Sequence, residues 1–235
     1  MSGIIIISVV FMAISWYVSS KLKRKFAEYS RIGLYNGLSG AQIAEKMLHD
    51  NNIYDVKITH VEGQLTDHYN PMNKTVNLST DVYHGRSAAA AAVAAHECGH
   101  AVQHATAYSA LRMRSAMVPI VNVASQLMGM ANTFLFMGGF YMISQGSAMG
   151  NLILMVLIVA NAALAAFSLI TLPVEFDASN RALKWMESRN MVNRQEHAMA
   201  KDALKWAAMT YVVGALGAVA NLAYYVMMFL GRRDD

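Results

Sequence analysis

Four long apolar stretches without a charged residue constrain the fold more than any other feature of this sequence. They cover residues 1–20, 115–143, 150–172 and 207–230. A helix of about 20 apolar residues is long enough to cross the hydrocarbon core of a bilayer. Buried helices of a soluble protein are the alternative, but four such stretches in one chain favour membrane spans. We therefore predict a mainly α-helical membrane protein with about four transmembrane helices.

Basic residues orient these spans. The cluster Lys21–Lys25 follows the first apolar stretch, whereas a cleaved signal peptide carries its basic residues before that stretch. Segments 21–114 and 173–205 hold 17 of the 19 Lys and Arg residues, and the 144–149 turn holds none. Because positively charged segments tend to stay in the cytoplasm, we predict a multi-pass protein of the cell membrane whose two basic segments face the cytosol.

The spans divide the chain into five predicted segments. Residues 1–20 form transmembrane helix 1, 21–114 a cytosolic helix-and-sheet insertion, 115–172 a transmembrane hairpin of helices 2 and 3, 173–206 a cytosolic helical segment, and 207–235 transmembrane helix 4 with a short tail. The hairpin is predicted because a short polar turn, Ser144–Ser147, separates its two apolar stretches.

Segment 21–114 contains both helical and strand patterns. Apolar residues recur at helical spacing between Ser39 and His49, with Ser39 as the predicted N-cap. Residues 54–61 alternate with period two, and a second short strand is predicted over 75–79. An alanine-rich helix begins at its own predicted N-cap, Ser87. We expect a small sheet beside this long helix.

The long helix carries the pattern His-Glu-x-x-His. His96 and His100 are four residues apart, so both imidazoles project from one helix face and can bind one metal ion. Glu97 is placed to polarise a metal-bound water and to pass a proton to a leaving amine. This pattern on a helix is typical of zinc metallopeptidases. Two histidines that only make hydrogen bonds are the alternative.

A catalytic zinc site needs a third protein ligand and an open fourth position. His104 lies about 12 Å along the helix axis from His96, too far for metal bonds of about 2 Å. Cys98 projects from a different side of the helix. Glu175 follows the third span on the same predicted side of the membrane and is the favoured ligand, with Asp177 as the weaker alternative.

The spacing along the third span supports Glu175. Asn161, Ser168 and Glu175 recur every seven residues, so they lie close to one helix face. Polar groups within a span are expected to point toward the interior of the bundle. Pro173 predicts a kink or an end of this helix just before Glu175.

Four motifs of this chain resemble those of a known family. They are His96–His100 (HECGH), Glu175–Ser179, Leu65–Tyr69 and Asp81–Ser87. In this combination they resemble the YugP-like family of bacterial membrane zinc metallopeptidases, and the resemblance covers essentially the whole chain. It implies Zn²⁺ as the cofactor and hydrolysis of peptide bonds as the activity.

The layout is also similar, more distantly, to the HtpX and CAAX-prenyl protease group, in which a glutamate of an ExxxD motif completes HExxH. This similarity implies a zincin-like, gluzincin-type site with Glu97 as general base. The metal ligands that it implies are His96, His100 and Glu175. The chain departs from that group at Ser179, which stands where the group has an aspartate. We expect Asp177 or Asn180 to replace that carboxylate.

We predict a membrane-embedded zinc metalloendopeptidase in which Glu97 activates a zinc-bound water. Its expected partners are the lipid bilayer and a peptide or membrane-protein substrate, which the 75–79 strand would bind at the edge of the sheet. His68 and Arg181 are candidates for stabilising the oxyanion of the reaction.

Three other functions are less compatible with the sequence. A zinc-stabilised scaffold without catalysis is the main alternative, but a structural zinc site normally has four protein ligands. A transporter is disfavoured because the four predicted spans contain no charged residue to mark an ion path. Nucleic-acid binding is not predicted, since no basic run alternates with aromatic residues.

Overall fold

A computed structural model describes residues 2–231, with their side chains apart from those at positions 2, 136, 138, 140 and 144. The helices are α1 (Ser2–Tyr29), α2 (Gly40–Asp50), α3 (Thr80–Tyr83), α4 (Ala88–Ala105), α5 (Ser109–Phe134), α6 (Phe140–Ser144), α7 (Ala148–Ser188) and α8 (Arg194–Leu230), with a π-helical turn at Leu135–Gly139. Three strands, β1 (Lys57–Val61), β2 (His68–Asn70) and β3 (Thr75–Ser79), form one sheet. The predicted mainly helical class with a small sheet is confirmed.

Three helices within residues 2–231 are long and apolar enough to cross a membrane, namely α1, α7 and α8. They contain residues 2–20 of the first predicted span and all of the third and fourth predicted spans. The second predicted span, residues 115–143, is helical but is divided among α5, the π-helical turn and α6, and Pro119 lies inside α5. A fourth membrane span therefore remains a prediction.

The chain forms two compact units, of which the first is largely apolar. This apolar unit comprises the residues up to Trp16, Met113–Leu172 and the residues from Tyr211 onward. Several of its helices expose large apolar side chains, among them those of Ile6, Met137, Val159 and Met227. A surface of this composition is stable in apolar surroundings rather than in water.

The second unit, called here the helix-and-sheet unit, comprises Tyr17–Arg112 and Pro173–Thr210. Its strands lie in the order β1-β3-β2, with β1 parallel and β2 antiparallel to β3. All five residues of β3 are buried. The prediction that the 75–79 strand offers a free edge to a substrate is therefore wrong, because β1 and β2 occupy both of its edges.

Helix α4 lies in the core of the helix-and-sheet unit. The hydroxyl of Ser87 accepts a hydrogen bond from the backbone N–H of Ala90 and caps the helix as predicted. The alanines at positions 88–92, 94 and 95 are fully buried. Their small side chains let neighbouring elements approach the α4 backbone closely, and they position the His-Glu-x-x-His motif deep in the unit.

The other predicted helix start is also confirmed. Ser39 caps α2 through a capping box, in which its hydroxyl accepts from the N–H of Gln42 and its own N–H donates to the Gln42 side chain. The apolar face of α2, with Ile43, Met47 and Leu48, is buried in the core of the unit.

Helix α7 is continuous through Pro173, over 41 residues. Of the two expected effects of this proline, an end of the third helix is wrong, and a kink remains a prediction. A proline inside a helix removes one backbone hydrogen bond, but α7 continues through Pro173, and the nearby Thr171 and Val174 are buried. The continuous helix carries Glu175, which is also buried, into the core of the helix-and-sheet unit.

Candidate metal centre

Three side chains of the helix-and-sheet unit converge on one point. His96 and His100 extend from α4 and Glu175 extends from α7. The Oε2 atom of Glu175 is 3.4 Å from Nε2 of His96 and 3.6 Å from Nε2 of His100. The three ligand atoms all lie within 4.8 Å of one another. Within residues 2–231, this is the one group of three or more His, Cys, Asp or Glu residues close enough to hold a metal ion.

These separations fit a zinc ion. Zinc binds nitrogen and carboxylate oxygen at about 2.0–2.2 Å in a tetrahedral arrangement, so neighbouring ligand atoms lie about 3.3–3.6 Å apart. Both nitrogen–oxygen separations agree with that range. Two imidazoles and one carboxylate are also a donor set of catalytic zinc sites, in which the fourth position stays open.

The electrostatics of this point favour a positive charge. Glu175 is 2% exposed, and a buried carboxylate is costly unless a cation or hydrogen-bond donors compensate it. Burial of His100 opposes its protonation, but the neighbouring Glu175 carboxylate, the negative charge of Glu97 and the contact with Gln103 outweigh burial. They raise the pKa of His100 above its ordinary value of 6.5. The same negative charges would stabilise a bound metal cation.

The outer ring nitrogen of each histidine has a partner. Nδ1 of His96 lies 3.1 Å from the hydroxyl oxygen of Ser179. Nδ1 of His100 lies 3.0 Å from Oε1 of Gln103. Such partners orient the imidazole so that Nε2 can bind a metal.

The expected substitute for the missing aspartate acts indirectly. Asp177 accepts a hydrogen bond at 2.8 Å from Nε2 of Gln103 and forms an ion pair at 2.6 Å with Arg181. Asp177 therefore reaches His100 only through Gln103, whereas Ser179 contacts His96 directly. Asn180, the other expected substitute, is exposed.

Glu97 lies beside the converging trio without being part of it. Its side chain is buried, and Oε2 accepts a hydrogen bond at 3.0 Å from the backbone N–H of Tyr69 on β2. Tyr69 pairs with Val76 of β3, so the sheet holds this amide in place. The sheet thus orients the carboxylate that the sequence predicts to be the general base.

The candidates that the sequence excluded as ligands have other contacts. His104 makes a 2.7 Å hydrogen bond through Nδ1 with the hydroxyl of Tyr69. Cys98 is fully buried and contacts the carbonyl of Ala44, and burial raises the pKa of its thiol. Neither residue belongs to the converging group.

The two candidates for oxyanion stabilisation have different surroundings. His68 is exposed, and its Nδ1 lies 2.8 Å from the carbonyl oxygen of Thr66. Arg181 pairs with Asp177 and lies over the ring of Tyr108. The role of both residues in stabilising an oxyanion remains a prediction.

Two residues of the site were not found from the sequence. Gln103 follows His100 by three residues on the same helix, a spacing that places the two side chains side by side. This spacing could have predicted their contact. Tyr69 offers a backbone N–H rather than a side chain. Because β2 has only three residues, it lacks the alternation from which a strand is recognised.

The comparisons with known proteins agree with this geometry. Residues 4–230 match the family described as "putative neutral zinc metallopeptidase". The chain is 41% identical over 231 residues to a Bacillus subtilis (strain 168) protein described as "putative membrane protease YugP", covering 98% of each chain. No solved structure matches the chain. Because the family match extends over almost all of its length, this chain belongs to the family described as "putative neutral zinc metallopeptidase".

Proposed function

We propose that this protein is a membrane-embedded zinc metalloendopeptidase whose metal ligands are His96, His100 and Glu175. The observation that carries the proposal is the convergence of these three side chains, with nitrogen–oxygen separations of 3.4 and 3.6 Å. The family to which the chain belongs supports zinc as the metal. The Bacillus relative, described as a membrane protease, supports the membrane location.

The residues of the chain divide the chemistry among them. Zinc bound at this site would polarise the scissile carbonyl and lower the pKa of a water. Glu97, oriented by the Tyr69 amide, accepts the proton of the attacking water and donates it to the leaving amine nitrogen. Ser179 and Gln103 hold the two imidazoles, and burial of the site limits competing solvent.

A structural zinc site is the alternative function, and Glu97 distinguishes the two. Glu97→Gln keeps the size of the side chain and removes its negative charge. For a general base we expect a folded, zinc-loaded protein whose peptide hydrolysis is about 10²–10⁴-fold slower. Glu187→Gln, the same change at an exposed position of α7, is the matched control and should hydrolyse peptides normally.

The experiment measures thermal stability, zinc content and hydrolysis of a peptide library by the purified protein. A structural site predicts a different pattern: His96→Ala unfolds the protein, while Glu97→Gln keeps full function. Undiminished hydrolysis by Glu97→Gln would refute catalysis by this carboxylate.

The ligand set has its own test. Glu175→Ala should lose zinc about as severely as His96→Ala, because each removes one of three ligands. His104→Ala should keep its zinc, since His104 contacts Tyr69 instead. Full zinc content in Glu175→Ala together with depletion in His104→Ala would overturn the proposed ligands.

We further propose that the chain keeps the five predicted segments, with 21–114 and 173–206 in the cytosol. The membrane-facing surface is supported by the apolar helices α1, α7 and α8. The native thiol of Cys98 is fully buried, so it does not interfere with labelling of introduced cysteines. In intact cells, Asn190→Cys should resist a membrane-impermeant thiol reagent and Ser147→Cys should react. The reverse pattern would overturn the cytosolic orientation.

A further inference from the structure

Gln103 joins a predicted ligand on α4 to the backbone of α7 and to an ion pair there. It is 0% exposed. Its Oε1 lies 3.0 Å from Nδ1 of His100. Its Nε2 donates to the carbonyl oxygen of Val174 at 2.7 Å and to the Asp177 carboxylate at 2.8 Å. Every polar atom of this buried amide is thus engaged.

The partners on α7 dictate which way the amide faces. A backbone carbonyl can only accept a hydrogen bond, and an ionised carboxylate can only accept as well. Asp177 is ion-paired with Arg181 at 2.6 Å, so its carboxylate acts as an acceptor. Both sites therefore require the N–H groups of Gln103, and its oxygen must face His100.

The orientation of the amide in turn sets the tautomer of His100. An amide oxygen accepts only, so Nδ1 of a neutral His100 must carry the proton. The lone pair is then on Nε2, the atom that lies 3.6 Å from the Glu175 oxygen. At His96 the partner is the Ser179 hydroxyl, which can donate or accept and so dictates neither tautomer.

We infer that Gln103 is a positioning residue, which with Val174 and Asp177 fixes His100 in the tautomer that can bind a metal. This inference rests on the proposed function, because it assigns a role toward the proposed zinc ion. Gln103 acts through His100 and touches neither the metal position nor the substrate. Residues that hold a metal-binding histidine in this way typically change metal affinity by about 10–100-fold when replaced.

Two substitutions separate positioning from a purely structural role. Gln103→Met keeps the length and volume of the side chain but removes the acceptor for His100. Gln103→Glu keeps an acceptor for His100 but places a second carboxylate beside Asp177. If Gln103 only fills space, Met is the milder change, since volume-conserving swaps are tolerated best and a buried like-charge pair is unfavourable. If Gln103 positions His100, zinc affinity follows the opposite order.

The experiment compares these two variants with the wild type and with Val102→Ala. Val102 is a buried neighbour on α4 outside the site, so its truncation controls for a general loss of stability. The measurements are the zinc dissociation constant by competition with a chelator, and the thermal stability of the metal-free protein. The third is the protonation of the His100 ring nitrogens by ¹⁵N NMR of metal-free protein at alkaline pH, where neutral imidazole predominates.

We expect zinc affinity to fall by about 10–100-fold in Gln103→Met, to fall less in Gln103→Glu, and to stay near the wild-type value in Val102→Ala. We expect His100 to be protonated at Nδ1 in the wild type and in Gln103→Glu, and to lose this preference in Gln103→Met. Unchanged zinc affinity in Gln103→Met, or a larger loss in Gln103→Glu, would overturn the inference.

Failure of the proposed function has a different signature. If the wild-type protein does not bind zinc, or if His96→Ala binds it as tightly, the proposed ligand set fails. The NMR measurement still decides the role of Gln103 in that case, because it needs no metal. Protonation of wild-type His100 at Nε2 would overturn the inference whatever the protein binds.

Discussion

Gly99 lies inside the His-Glu-x-x-His motif at a close approach of α4 to α7, and Gly99→Ala tests how tightly this packing controls the candidate metal centre. A Cβ atom at position 99 would lie 2.5 Å from the carbonyl oxygen of Ala178, and 3.1 Å from its carbonyl carbon and its Cα. All three atoms belong to the α7 backbone, which cannot rotate away as a side chain can. The shortest separation is about 0.9 Å below ordinary van der Waals contact, which begins at 3.4 Å.

The two helices must therefore move apart by several tenths of an ångström in Gly99→Ala. Overpacking of this kind lowers the free energy of unfolding by about 1–3 kcal/mol. The metal site should be more sensitive still, because metal–ligand distances tolerate deviations of only about 0.2 Å. His100 lies next to Gly99 on α4, whereas Glu175 lies one turn before Ala178 on α7, so the movement separates proposed ligands.

The assay measures zinc affinity and thermal stability of Gly99→Ala beside a matched control, Gly214→Ala. Gly214 also lies inside a helix, α8, but a Cβ atom there would meet nothing within 4 Å. We expect the control to keep the zinc affinity of the wild type and to lose no stability, because alanine is a better helix former than glycine. If Gly99→Ala binds zinc as tightly as the control and unfolds at the same temperature, the packing argument is refuted.

Three further predictions follow from local contacts. The pKa of His100 is raised in the folded metal-free protein, so protonation of His100 stabilises the fold. This contribution is fully present below pH 6.5 and is lost as the pH rises through the raised pKa. The free energy of unfolding of His100→Gln, measured against pH, should therefore change less over this range than that of the wild type. Tyr69→Pro removes the backbone N–H that donates a hydrogen bond to Glu97, and β2 is an edge strand, which can tolerate proline. Tyr69→Pro should therefore hydrolyse peptides more slowly than Tyr69→Ala, which keeps this N–H, while both keep their zinc. Ser39→Ala removes the cap on the Gln42 N–H and should cost about 1 kcal/mol of unfolding free energy without changing the kinetics of hydrolysis.

Features that depend on neighbouring residues in the sequence were predicted well. The N-caps Ser39 and Ser87 were identified because capping uses a side chain and a backbone N–H three residues apart. The 75–79 strand was found with its observed bounds. The pairing of His96 with His100 required only helical spacing, and Glu175 was reached by excluding candidates that a straight helix cannot bring together.

Features that depend on distant pairing were predicted less well. Strand β2 is too short for a periodic pattern, and the central place of β3 arises from its pairing with β1 and β2. From the sequence, β3 was therefore expected to offer a free edge to a substrate, although it is the central, buried strand. Pro173 was expected to kink or end α7 from its intrinsic preference, but α7 does not end there. The contact of Ser179 with His96 was not predicted, because it joins residues 83 positions apart on two different helices.

The contacts of the centre separate into two groups that should respond differently to mutation. Those of His96, His100 and Gln103 all join α4 to α7, through Glu175, Ser179, Val174 and Asp177. The contact of Glu97 joins α4 to β2 instead, through the Tyr69 amide. Changes at the α4–α7 contact, such as Gly99→Ala, should therefore lower metal affinity and stability together. Changes at the α4–β2 contact should slow hydrolysis while the metal stays bound, because the proposed general base moves and the proposed ligands do not.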